Sequence, residues 1–135
     1  MKQKIIICGA GRVGISITEH LSNEGFDITV IDSNVDAIQK VTELYDVQGV
    51  LGLASLPNVL EDAGINDADM IIAVTQSDEI NIAACHIAKS IFSTPTMIIR
   101  IRSKAYLEPR YVEYLLKDVK VNRIISPEDE VASAI

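Results

Sequence analysis

Along the chain, short runs of consecutive apolar residues alternate with longer segments in which apolar positions return every third or fourth residue. The runs, residues 4–8, 27–31, 49–51, 70–74, 97–101 and 123–125, are rich in Ile and Val and apolar at odd and even positions alike. A strand with one solvated face would alternate, so this pattern predicts strands covered on both sides. The helical spacing covers residues 13–23, 35–45, 57–63, 79–92 and 105–117. Ser33 or Asn34 can cap the second helix, Ser55 precedes Pro57, Ser77 and Asp78 open the fourth, and Gly25 and Gly64 fall where helices should stop.

Strands alternating with helices through short connections require parallel pairing and right-handed crossovers. The expected fold is therefore α/β, a doubly wound, parallel six-stranded sheet of Rossmann type with strand order 3-2-1-4-5-6. Residues 1–135 form a single domain in this reading. Residues 127–135 look like the start of another helix that stops abruptly, as if the chain were part of a longer protein.

Composition narrows the class. At 135 residues, 48% hydrophobic and 23% charged, the chain suits one core, and this much aliphatic side chain argues against disorder. The longest uncharged runs fall well short of the roughly 20 apolar residues a membrane helix needs. The few apolar residues after Lys2 and Lys4 are too short for a secretory signal. Cys8 and Cys85 sit in apolar surroundings and read as buried thiols, which places the protein in a reducing cytoplasm. A net charge of −7 makes nucleic acid an unsuitable partner, since phosphate contacts supply most of that affinity. The charge is uneven: residues 13–99 carry two basic and thirteen acidic side chains, whereas residues 100–123 carry seven basic and three acidic. Either this is an ordinary solvated surface, or Arg100, Arg102 and Lys104 face an anion.

The candidate chemistry begins at Gly9-Ala10-Gly11-Arg12-Val13-Gly14, a G-x-G-x-x-G turn directly after the first strand and at the mouth of the first helix. Gly9 permits the tight turn, Gly11 lets backbone approach a pyrophosphate, and Gly14 lets the helix lie close to the strands. The first helical amides then point at the anion. Asp32 ends the second strand eighteen residues after Gly14, where a carboxylate accepts hydrogen bonds from the ribose hydroxyls of an adenosine. It would repel a 2′-phosphate, which favours NAD or an adenine nucleotide over NADP. Its other reading is a strand-end cap on the amides of Asn34 and Val35. Arg12 either reaches the phosphates or is a solvated first-turn side chain.

From here a longer series of residues matches a known pattern. The turn and Asp32 are followed by Val59-Leu60, Ala63-Gly64-Ile65, Asp67-Ala68-Asp69-Met70 through Ala73-Val74-Thr75, Ser77-Asp78-Glu79 with Asn81, Ile99-Arg100-Ile101-Arg102-Ser103 with Tyr106, and Ile124-Ile125-Ser126-Pro127-Glu128. In this order they resemble the nucleotide-binding N-terminal half of an RCK (regulator of potassium conductance) domain, of the type carried by regulatory subunits of bacterial Trk potassium uptake systems.

The resemblance implies a regulatory domain rather than an enzyme. Such domains bind NAD(H) or the adenine nucleotides ADP and ATP. They associate as dimers or larger rings and bias the gate of a potassium-translocating membrane subunit from the cytoplasmic face. Its nucleotide contacts fall on Gly9, Ala10, Gly11, Arg12, Val13, Asp32, Thr75, Gln76 and Arg100. Thr75 and Gln76 end the fourth strand, opposite the first across the topological switch point where open α/β sheets bind ligands. They can equally serve to cap the next helix. Arg100, in an otherwise apolar strand, needs an anionic partner, either the ligand or a carboxylate of the chain itself.

One departure stands out: after the third strand the family usually places a polar residue where this chain has Leu53, in Gly52-Leu53-Ala54-Ser55. Leu53 offers no side-chain hydrogen bond to adenine, though Ala54 can pack against the ring.

Enzyme readings are weaker. Cys85 and His86 are sequence neighbours about 100° apart on a helix and share no face, and no ligand set has metal-site spacing. Asp78 and Glu79 more simply complement a helix dipole than form an acid–base pair. Tyr111 and Tyr114 read as one packed helix face. The alternative from a different class is the cofactor-binding part of an NAD-dependent oxidoreductase, which the glycine turn and Asp32 alone would also permit.

Overall fold

The computed structural model describes residues 2–117, 119 and 121–126; the expected helix start at 127–135, with the Pro127 and Glu128 of the family-like series, lies outside them. Six strands, β1 (Lys4–Cys8), β2 (Asp27–Asp32), β3 (Gln48–Leu51), β4 (Met70–Ala73), β5 (Thr96–Arg100) and β6 (Arg123–Ile125), form one sheet in the order β3-β2-β1-β4-β5-β6. Every neighbouring pair is parallel. The expected topology is the observed one, and strand boundaries differ from the expected ones by a residue at most.

The apolar runs divide residue by residue between the two faces of the sheet. In β1, Ile5 and Ile7 join Val30, Val41, Ile72 and Val74 in one core layer, which α1 (Arg12–Ser22) and α2 (Val35–Leu44) cover. Ile6 and Cys8 join Leu60, Ile71, Ala84, Cys85 and Ile99 in the other layer, beneath α3 (Pro57–Asp62) and α4 (Asp78–Ser90). Strands buried on both faces explain the absence of alternation in the sequence.

The helix expected over 105–117 is two helices, α5 (Lys104–Leu107) and α6 (Pro109–Leu115). Pro109 has no amide to continue the first helix, and it holds Glu108 at ψ 128, outside the helical range. Val112 and Leu116 lie against the core, while Tyr111 and Tyr114 are exposed, with the Arg110 guanidinium 4.7 Å from the Tyr111 ring centre. The packed tyrosine face expected from spacing is therefore absent. A single 3-10 turn, Ile65–Asp67, which the spacing did not reveal, bridges α3 and β4.

Among the capping signals, Asn34 and Ser77 accept the amides of Ala37 and Ile80, and Gly25 and Gly64 have positive φ. Ser55 does not cap α3: Leu56 occupies that position without a side-chain bond.

Candidate functional site

The chain reverses from β1 into α1 at Gly9, whose φ of +113° suits glycine, and whose missing side chain leaves room for the Val74 carbonyl, 2.8 Å from where a Cβ would stand. The Gly9 amide donates to the Ile31 carbonyl, tying the turn to β2. Gly14 is tighter still. A Cβ there would lie 1.9 Å from the Gly9 carbonyl oxygen, so the third glycine lets α1 fold back onto the turn itself. At Gly11 the nearest protein atom to an added Cβ is Gln76 Nε2 at 4.0 Å. The fold itself would therefore tolerate a Cβ at Gly11, and the space beside it is filled by no protein atom. Gly11 is also the N-cap of α1, with no side-chain bond to the first helical amides.

Asp32 stands beside the turn at the end of β2. Its Oδ2 accepts the Ala10 amide at 2.8 Å and its Oδ1 accepts the Asn34 amide at 2.8 Å. The strand-end cap is present at the Asn34 amide, where it braces the chain entering α2, and the other oxygen grips the glycine turn at the Ala10 amide. Each oxygen retains a lone pair, and the half-buried side chain borders the crevice. Among the described residues it is in no ion pair.

The crevice has a volume of about 660 Å³ and runs along the carboxyl ends of the strands at the switch point between β1 and β4. Gly9 to Val13 and Asp32 line one side; Thr75, Gln76, Arg100 and Arg102 line the other. The structure thus gathers all nine expected nucleotide contacts around one cavity. Lys104 is not among the lining residues. Arg12 is exposed at the turn and Arg100 is half-buried, and with Arg102 they set three cations against Asp32 in a chain of net charge −7. Leu53, 43% exposed, borders the crevice, with the buried Ala54 behind it.

Thr75 faces the crevice, but its hydroxyl is committed inward. It donates to Asn81 Oδ1 at 2.6 Å and accepts the Ser77 amide at 3.2 Å. Asn81, fully buried on α4, also accepts the Thr75 amide and donates through Nδ2 to the carbonyls of Thr75 and Arg100. The ends of β4 and β5 are thereby fastened to one side chain. Spacing gave Asn81 no role, because a polar residue three positions into a helix looks the same whether it faces solvent or a strand end.

Outside the crevice the two cysteines and His86 are each accounted for by burial or a backbone partner. Burial pushes the Cys85 thiol up to about 12, and burial together with the neighbouring Cys85 pushes Cys8 further still, so neither is a thiolate near neutrality. The Nε2 of His86 is bonded to the Leu115 carbonyl. Among the described residues no cluster of His, Cys, Asp or Glu could hold a metal ion, and no helix is long and apolar enough to cross a membrane.

Residues 5–127 match the family model of the TrkA-N domain. The chain belongs to the TrkA-N family. Over 133 residues it is 44% identical to the Trk system potassium uptake protein TrkA of Azorhizobium caulinodans, a match covering 98% of this chain and 29% of that protein. The chain thus spans under a third of that relative's length. In fold it is similar to the TrkA-N domain of the inner membrane protein ybaL from Escherichia coli, with a TM-score of 0.81 at 20% identity over 99% of this chain and 94% of that one. It is also similar to the GsuK channel, solved bound to NAD (TM-score 0.73, 22% identity, 93% of this chain and 21% of that chain) and bound to ADP (0.73, 20%, 93% and 31%).

Proposed function

We propose that this TrkA-N domain is the nucleotide sensor of a Trk-type potassium uptake regulator. It binds NAD(H) or an adenine nucleotide in the crevice, and occupancy biases the gate of a potassium-translocating membrane subunit. The observation that carries the reading is the pairing of Asp32 with Gly11. The chain opens the space beside one and pins the other through the Ala10 amide, so that a diphosphate on the α1 amides would leave its ribose within reach of the carboxylate.

Gly9 to Val13 would hold the diphosphate, Asp32 the ribose, and Arg12 and Arg100 the surrounding negative charge. Thr75 and Gln76 form the opposite wall. The base would lie against Leu53 and Ala54 in an apolar contact. No bond is made or broken in this role. The relatives' names and the ligands of the GsuK structures support it over the oxidoreductase alternative.

The partner is the membrane translocator, with the domain held at the cytoplasmic face of the membrane, and assembly is with further copies of the regulator as a dimer or ring. Titration calorimetry of the domain with NADH, NAD, ADP and ATP tests the reading. Binding of at least one in the low-micromolar range or weaker is expected. No heat with any of the four overturns it, and robust hydride transfer to a small alcohol or acid would favour the alternative.

A further inference from the structure

Asp78, the first residue of α4, is only 8% exposed, and a carboxylate at that depth must be met by donors. Complementing the helix dipole requires no such burial. Its partners lie far along the chain: Oδ1 accepts the Arg102 amide at 2.9 Å and Oδ2 the Ser103 amide at 2.8 Å. Ser103 in turn caps α5 by accepting the Ala105 amide, and the neighbouring Glu79 holds the Tyr106 hydroxyl, a bond that raises the phenol's pKa. One turn later Asn81 holds the Arg100 carbonyl at 3.0 Å. Asp78 and Asn81 on α4 therefore fix the path of residues 100–103 at three backbone groups, the Arg100 carbonyl and the Arg102 and Ser103 amides.

That path carries the Arg102 side chain to the rim of the crevice, opposite the glycine turn. Its amide is held, its side chain is exposed, and among the described residues it is in no ion pair. A guanidinium on a pinned backbone loses less freedom on meeting an anion than one on a mobile loop, and its planar fork suits phosphate.

We propose that Arg102 contacts a phosphate of the bound nucleotide and that Asp78 is the positioning residue that places it, through its grip on the Arg102 and Ser103 amides. The proposal rests on the nucleotide-sensing reading above and adds to it a ligand contact and the device that orients it.

The test is calorimetric titration of ADP, at low and moderate salt, into the wild-type domain, Arg102→Gln, Arg102→Lys, Asp78→Asn and the Asp78→Asn/Arg102→Gln pair. Loss of one charge-assisted contact should weaken ADP about tenfold in Arg102→Gln. Arg102→Lys should recover part of that loss, and the salt dependence of binding should shrink in Arg102→Gln. Asp78→Asn keeps one acceptor oxygen in place of two. It should weaken ADP to a similar degree, and the pair should lose little more than either alone.

Wild-type ADP affinity in Arg102→Gln overturns the contact, and additive losses in the pair overturn the positioning role. Should Asp78→Asn fail to fold, the exposed Arg102 variants decide the contact, and Asp78→Glu, which keeps the charge but displaces both oxygens from the Arg102 and Ser103 amides, decides the positioning: a similar fall in ADP affinity supports it and wild-type affinity overturns it. A wild-type domain that binds no nucleotide overturns the underlying reading instead.

Discussion

Replacing Asp32 with alanine removes two structural bonds and, on the nucleotide reading, two ligand bonds, and the two losses can be measured apart. In the folded chain the carboxylate accepts the Ala10 and Asn34 amides, both at 2.8 Å. Hydrogen bonds to a charged acceptor contribute about 1.5–3 kcal/mol each in protected sites. Asp32 is half-buried beside an open crevice, where water can take over both amides, so the combined loss should be nearer 1–2 kcal/mol. For a chain of this length that corresponds to a fall in Tm of roughly 5 °C.

The ribose hydroxyls would lose their acceptor as well, weakening NADH or ADP by roughly 1–3 kcal/mol, about 5- to 150-fold. Asp32→Asn separates shape from charge. Its amide group would face one of the two backbone donors, so it should keep the volume and lose most of both effects. Calorimetric titration gives the affinity and thermal unfolding gives the stability. Asp32→Ala with wild-type affinity for NADH and ADP would refute the ribose contact, and an unchanged Tm would refute the bracing of the glycine turn.

The glycines divide by what a Cβ would strike. Gly11→Val should leave the circular-dichroism spectrum and Tm close to wild type and abolish nucleotide binding, because no protein atom stands closer than 4.0 Å to the added Cβ. Gly14→Ala should instead cost on the order of 3 kcal/mol or more in urea unfolding, because backbone, not a flexible side chain, occupies the position. The buried thiols predict an alkaline limit. Below pH 9 both are protonated folded and unfolded and add no slope. Above it the unfolded chain releases protons that the folded chain keeps, so stability should fall by about 1.4 kcal/mol per pH unit and per thiol until each folded pKa is reached. Urea unfolding at pH 8 and 10 checks this, and the Cys8→Ala/Cys85→Ala pair should lose the added slope.

The sheet was legible because every strand but β3 packs on both faces, so Ile and Val dominate residues 4–8, 27–31 and 70–74 at odd and even positions alike. The glycine turn and Asp32 were legible for a different reason. Their constraints are local, a positive φ, a missing Cβ and a strand end, and each leaves its mark on one residue type. The split of residues 105–117 had a signal that helical spacing alone overrode: Pro109 removes an amide in mid-run, and only the periodicity of Val112 and Leu116 about that break shows which face packs.

Asp78 and Asn81 mark the limit of this kind of reading. An acidic first turn accounts for Asp78 without reference to anything distant, and Asn81 reads as an ordinary polar helix position. What distinguishes them is that their side-chain oxygens accept backbone amides at Thr75, Arg102 and Ser103 while the Asn81 Nδ2 donates to the carbonyls of Thr75 and Arg100, and such pairings depend on how β4 and β5 end side by side. A polar side chain whose partner is backbone leaves no complementary residue type elsewhere in the sequence. Its role is set by the topology, and it becomes visible only once the sheet order brings the two strand ends against the same turn of α4.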